Sequence, residues 1–345
     1  MPRKFYTVSV ILLVFLLIFT ACADSQNRQP SSPADSDDVP ESPDGASSEL
    51  ISESNETESA MPDDGLAFPL GDRIAENGNS AGNMYMYAMI AHEDVYNLPE
   101  MNNITFEPMS RYSWHSHEAG EILLVTGGVG YYQEEGKPAQ IVRRGDSVTV
   151  EADVRHWHGA APENWFAHVE ISVDPARTGV EWADAVPDET YAGLGAEEYA
   201  GRTVSTDNAF MFQRSAEPMG GGLTDYFSGP VYLSSVLDRD NPLNPPSMSY
   251  VVFAPGTVNN WHTHGGGQVL IATDGIGYHQ LQGRPVEVLH PGDVAFCPPN
   301  ETHWHGGSAD VWFAHIAIGT NPGNGGGTEW LDRISEEEYA ALPKE

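Results

Sequence analysis

The residues of this sequence best able to do chemistry are its histidines, and they are not scattered. Of 13 histidines, ten stand at positions that recur: 115, 117, 156, 158 and 168, then 262, 264, 303, 305 and 315. In the first set, Trp114-His115-Ser116-His117 is followed by Glu121, Gly128 and His156; in the second, Trp261-His262-Thr263-His264 is followed by Gln268, Gly275 and His303. Residues i and i+2 of a strand share a face, so His115 and His117 should project together, with Glu121 on the same face and His156 arriving from a later strand. Three imidazoles and one oxygen suit a divalent transition metal (Mn, Fe, Ni, Co or Zn) and leave positions for water or substrate. A bare His-x-His would equally fit hydrogen-bonded side chains on a barrel wall. The fuller pattern, present twice in register, is what favours metal.

The elements that must position these side chains are themselves repeated. Gly145-Asp146 returns as Gly292-Asp293, His156-Trp157-His158-Gly159 as His303-Trp304-His305-Gly306, and Phe166-Ala167-His168 as Phe313-Ala314-His315, every pair offset by 147 residues. The tails match at 148, Glu181-Trp182 with Glu329-Trp330 and Tyr191 with Tyr339. So long a period means a duplicated domain rather than a solenoid. Short runs rich in β-formers, such as Glu121 to Val125, Gln268 to Ala272 and Val294 to Cys297, end at glycine and proline turns. They predict a sandwich or barrel, with helix only near the ends, as at Ser335-Glu336-Glu337-Glu338 where acids fill a first turn. The tryptophans at 114, 157, 261 and 304 flank the histidines, either as barrel core or as stacking platforms.

The chain has 345 residues, with 16 basic and 50 acidic side chains and a formal charge of −34. That balance argues against nucleic acid and anionic membrane surfaces as partners, since both need a basic footprint. Arg3 and Lys4 precede ten apolar residues, Val10 to Phe19, and then Thr20-Ala21-Cys22. The run is too short to span a bilayer but suits a signal-peptide core. Small residues before a cysteine resemble a bacterial lipoprotein cleavage site, so residues 1–22 are expected to be a signal and Cys22 to carry lipid. An uncleaved anchor or an ordinary secretory signal are the alternatives. Residues 23–65 hold twelve carboxylates against Arg28 alone and should form a solvated tether. On this reading the protein sits on the outer face of a bacterial membrane. Cys297, without a partner if Cys22 is lipidated, is expected to be a buried structural thiol with no Cys-His-acid arrangement around it.

These motifs resemble the cupin superfamily, whose members draw four ligands from inside a β-jelly-roll. The resemblance covers most of residues 66–345 and implies an all-β bicupin: two tandem double-stranded β-helix domains, 66–197 and 198–345, with short terminal helices. It implies one metal in each, held by His115, His117, Glu121 and His156 in copy one and by His262, His264, Gln268 and His303 in copy two. Copy one departs from the usual Pro-x-Gly turn, with Glu151-Ala152-Asp153 where copy two has Pro298-Pro299-Asn300. Copy two is most similar to the manganese cupins that act as (R)-selective hydroxynitrile lyases, which implies manganese as the cofactor, His305 as acid/base and His315 as a pocket residue. His158 and His168 are their counterparts in copy one.

A neutral imidazole two residues beyond a ligand could move a substrate proton, or could simply orient that ligand. The copies also differ. Glu121 cancels part of a cation's charge and Gln268 does not, so site two should be the stronger Lewis acid. Strand parity sets Glu170 on the face of His168, where copy two has Ala317; Glu170 either enters the pocket or faces solvent. The leading expectation is a lyase-type carbon–carbon reaction on a small organic molecule. A cupin dioxygenase and a non-catalytic metal-dependent binder of the cell envelope remain alternatives, and homo-oligomerisation stays open.

Overall fold

A computed structural model describes residues 66–75, 77–90, 100–174, 176–199, 210–237, 243, 246–320 and 327–344. The expected signal (1–22), the acidic tether (23–65) and Cys22 lie outside the described residues. Among the described residues no helix is long and apolar enough to cross a membrane.

Each repeat folds as two facing antiparallel sheets. In copy one the 14-residue strand Glu121–Glu134 belongs to both: its first half pairs with Phe166–Ser172 and Ser147–Val150, its second with His156–Ala160 and Gln140–Arg143. In copy two the equivalent chain is divided into Gln268–Gly275 and Gly277–Leu281. The glycine at the bend has no substitute. Gly128 and Gly275 have φ of 68° and 72°, and a Cβ on either would sit 1.8 or 1.7 Å from the carbonyl oxygen of Trp165 or Trp312.

Strand alternation explains why Ile122-Leu123-Leu124-Val125 is apolar throughout. Leu123 and Val125 face the barrel interior, whereas Ile122 and Leu124 enter a core shared with Val269 and Ile271 of copy two. Both faces are buried, so neither needs polar side chains. Across this seam the Arg144 guanidinium meets Asp274 at 3.1 Å and Ser147 donates to the Val236 carbonyl at 2.7 Å. Arms exchange as well: Ala67 and Phe68 press on Gly292 of copy two, and Met211 on Gly145 of copy one. At the join between the copies, the Tyr199 hydroxyl donates to the Ser147 carbonyl of copy one at 2.9 Å.

The short helices Asp188–Ala192 and Glu336–Ala340 close each barrel. Their matched tyrosines donate to matched carbonyls, Tyr191 to Ala160 and Tyr339 to Gly307, which accounts for the repeat of that residue. Ser335 and Glu338 cap the second helix reciprocally. Trp157 and Trp304 are core, fully buried with each indole donating to a glutamine, Gln133 or Gln280, at 2.8 Å.

Candidate functional site

The two histidine sets lie inside the two barrels. In copy two, His262 pairs across strands with His303, and their Nδ1 atoms lie 2.9 and 3.1 Å from the carbonyls of Asn260 and Glu301, each two residues upstream. That bond fixes the tautomer and turns Nε2 inward. His264 ends the strand of His262, and Gln268 opens the next strand across the turn. Donor atoms of His262, His264 and His303 all lie within 4.8 Å of one another. His264 Nε2, His303 Nε2 and Gln268 Oε1 are buried without a hydrogen-bond partner. Buried polar atoms left unmade are costly, so convergent orphans of this kind fit a cation. Burial holds His262 down to about 3 and His303 to about 2, so both are neutral, the form that ligates.

His305 follows on the same strand face. The Asn259 side chain grips it twice: Oδ1 accepts from the His305 backbone N–H at 2.9 Å, and the amide nitrogen lies 3.0 Å from His305 Nε2. With the amide oriented by the first bond, the second must run from Asn259 to an unprotonated Nε2. Burial, followed by His315, pushes the imidazole well below its usual value. Above these groups a cavity of about 430 Å³ is walled by Leu223, Phe227, Val231, Leu233, Val251 and Trp330, with His262, His264, Gln268 and His305 also lining it. The Trp330 indole also lies against His262, ring centroids 4.8 Å apart.

Copy one repeats this frame with more charge. His115 and His156 bond the carbonyls of Ser113 and Val154 through Nδ1, both at 2.9 Å. Glu121 starts the strand after the turn rather than extending that of His115 and His117, and returns its carboxylate to them. It lies 2.5 Å from His156 Nε2, 3.4 Å from His117 Nε2 and 4.0 Å from His115 Nε2. The tightest group comprises His115, Glu121, His156 and His158, with His117 reached through Glu121. Burial opposes charge on Glu121, but the surrounding histidines prevail and hold its carboxyl well below the usual range. Burial likewise lowers His156, yet Glu121 outweighs it and the net shift is upward. His158 Nδ1 bonds His168 Nε2 at 2.9 Å. Glu170 enters the pocket, 3.6 Å from His158 Nε2, and burial, then Glu121 and Glu100, push its carboxyl up. The cavity is only about 150 Å³ and polar, with Asn102, His117, Glu170 and Arg177 on its walls.

The turns that differ in sequence do not differ in shape. Asp153 and Asn300 share a φ of 62°, which Asp and Asn tolerate, and their amides donate to His117 and His264 at 2.9 Å. Besides the placement of Glu121 on its own strand, a second expectation is corrected. Cys297 is fully buried, but it does have a histidine and an acid beside it: His279 Nε2 lies 3.2 Å from Sγ, and His279 Nδ1 lies 2.6 Å from Glu287. The three come from separate strands, and their counterparts Tyr132, Gln140 and Val150 are of other types, so the repeat could not mark them. Asn259 and Tyr112, at one repeat position, were also invisible as site residues because their types differ.

Comparison with known proteins bears on the same residues. The cupin domain family matches residues 102–164 and 249–313. The (R)-mandelonitrile lyase of Granulicella tundricola is 36% identical over 124 residues, covering 36% of this chain and 93% of that protein. A cupin-like protein of Thermotoga maritima is 38% identical over 37% of this chain and 95% of its own, with a TM-score of 0.35. A single-substitution variant of Bacillus subtilis oxalate decarboxylase covers 81% of each chain at 14% identity with a TM-score of 0.50, a likeness of fold.

Proposed function

The chain belongs to the cupin superfamily as a bicupin, and from that premise we propose that it is a metal-dependent enzyme whose second cupin makes or breaks a carbon–carbon bond beside a hydroxyl or carbonyl group. The observation that carries this is the copy-two cavity, where four donor side chains and a neutral His305 meet beneath apolar walls. When bound, a divalent cation supplies Lewis acidity toward a substrate oxygen, and manganese is the ion this reading favours.

The chain's own groups do the rest. The apolar walls seat an aryl or alkyl body and exclude water. His305, held neutral by burial, accepts a proton at Nε2, the atom the Asn259 amide now contacts; a substrate hydroxyl would take that amide's place. Cleavage of a 2-hydroxynitrile would move the hydroxyl proton to His305 and the carbon–carbon electron pair to cyanide. His305 then returns the proton, so an aldehyde and hydrogen cyanide leave in balance. The relative from Granulicella tundricola supports this substrate class by the reaction in its name.

The proposal extends to place: a lipid on Cys22 and the acidic tether would hold both cupins off an outer membrane face, which the mass of the mature N-terminal peptide checks. The reaction is tested by aldehyde release from mandelonitrile with Mn-loaded protein. His305→Ala should lose about 10²–10⁴-fold in turnover while keeping its metal. Equal turnover in wild type and variant would refute the assignment.

A further inference from the structure

His158 is set as a ligand in a way that its counterpart His305 is not. Its Nδ1 bonds His168 Nε2 at 2.9 Å, and its fully buried Nε2 has no hydrogen-bond partner. With Nδ1 engaged by His168, Nε2 is the ring nitrogen left facing the chamber, the arrangement that second partners impose on metal-bound histidines. That atom faces Glu170 Oε1 at 3.6 Å. In copy two the corresponding Nε2 contacts the Asn259 amide at 3.0 Å, and Ala317 replaces the carboxylate. His158 therefore belongs to two tight donor groups, one with His115, Glu121 and His156 and another with His168 and Glu170.

The carboxylates point the same way. Glu121 is almost wholly buried, its Oε1 2.5 Å from His156 Nε2 and its Oε2 3.4 Å from His117 Nε2, and it also belongs to the donor group of His158. Glu170 shares its small chamber, and Glu100 stands on the wall. An imidazole nitrogen and a carboxylate oxygen 3.6 Å apart on one small chamber are a donor pair of the kind divalent ions take. Closely spaced divalent pairs bridged by carboxylates are an established arrangement in proteins, with the ions about 3.5–4 Å apart.

We propose that copy one is a two-cation centre, in which a second divalent ion is held by His158 Nε2 and Glu170 beside the ion of His115, His117, His156 and Glu121. Copy two holds one ion, so the whole chain takes up three divalent ions rather than two. The inference rests on the four-donor sites but not on the reaction proposed for copy two.

The test is uptake of Mn(II), and separately Zn(II), by the metal-stripped full chain, counted by elemental analysis after removal of free ion. Electron paramagnetic resonance of the Mn(II) form gives a second readout. The expected result is three ions per chain with a spin-coupled manganese pair. Glu170→Gln and Glu170→Ala should each return two ions and only isolated manganese signals. Two ions in the wild type, whether or not copy two turns over mandelonitrile, would overturn the second cation alone. Three ions in both Glu170 variants would overturn the ligand assignment. Fewer than two in the wild type would overturn this inference and the four-donor sites together.

Discussion

Tyr112 and Asn259 occupy one position of the repeat, 147 residues apart, and they set how far each cavity reaches toward its histidines. The Tyr112 ring lies edge-on to His115 and His158, with centroids 5.6 and 5.2 Å away. Outside it, Met84, Met86 and Trp182 line a hollow of about 370 Å³ that includes none of the copy-one metal donors. In copy two the matching Val231, Leu233 and Trp330 line one cavity with His262, His264 and Gln268, because Asn259 is too small to divide it. One side chain thus separates an apolar hollow from a metal site in one barrel and joins them in the other.

Tyr112→Asn should therefore join the copy-one hollow to its metal site. In a His262→Ala background, which disables copy two, benzaldehyde should then perturb the manganese resonance of copy one, and it should not do so with Tyr112 present. An unchanged spectrum in the double variant would show that Tyr112 is not the barrier.

The oxygen donor should set the balance between affinity and reactivity. Gln268→Glu adds the charge that copy one already carries at Glu121. Affinity for Mn(II) at copy two should rise, while turnover falls by about tenfold or more, equivalent to about 1.4 kcal/mol of transition-state stabilisation. Parallel metal titration and steady-state kinetics check this; a rise in both quantities would contradict it.

Acid should weaken the metal-free fold through the buried imidazoles of both copies, His115 and His168 as well as His262 and His303. His262 and His303 are held by burial at about 3 and about 2, below the ~6.5 of an unfolded histidine. Their stability contribution is present above that unfolded value and is lost as pH falls, because the unfolded chain takes up protons that the fold refuses. The loss is at most about 1.4 kcal/mol per pH unit for each histidine. His156 has the opposite sign, since its net upward shift favours the fold on the acid side. Thermal unfolding of stripped protein should show a falling midpoint from about pH 6.5 downward, less steep in His303→Gln; a flat midpoint would contradict the burial argument.

Gly275→Ala tests the bend that brings the donor strands together. A Cβ there meets the Trp312 carbonyl at 1.7 Å on a residue with φ of 72°, so the backbone must shift. Destabilisation of about 2 kcal/mol or more is expected by chemical denaturation. A change under about half a kcal/mol would mean that the bend is slack.

Much of the site was legible because duplication copies spacing. Strand parity and repetition joined His115 to His117 and His262 to His264, the family resemblance added His156 and His303, and the strands around them follow from short apolar runs closed by glycine. What stayed hidden depends on contacts between strands whose register no local pattern states. Glu170 could be put on the face of His168 but not inside or outside until the sheets were paired. His279, Glu287 and Cys297 meet only because Gly277–Leu281 pairs with Glu287–Leu289 while Val294–Cys297 delivers the thiol from the facing sheet. The exchanged arms at Phe68 and Met211 are likewise long-range packing, written in no motif.

The central claim is that the copy-two donors converge on one cation. Crystals of the Mn-loaded protein, with anomalous scattering recorded near the manganese edge, examine that directly. A peak bonded to His262 Nε2, His264 Nε2, His303 Nε2 and Gln268 Oε1 at about 2.0–2.3 Å is the predicted result. Side chains turned apart around an empty barrel, in protein shown to carry manganese, would contradict it.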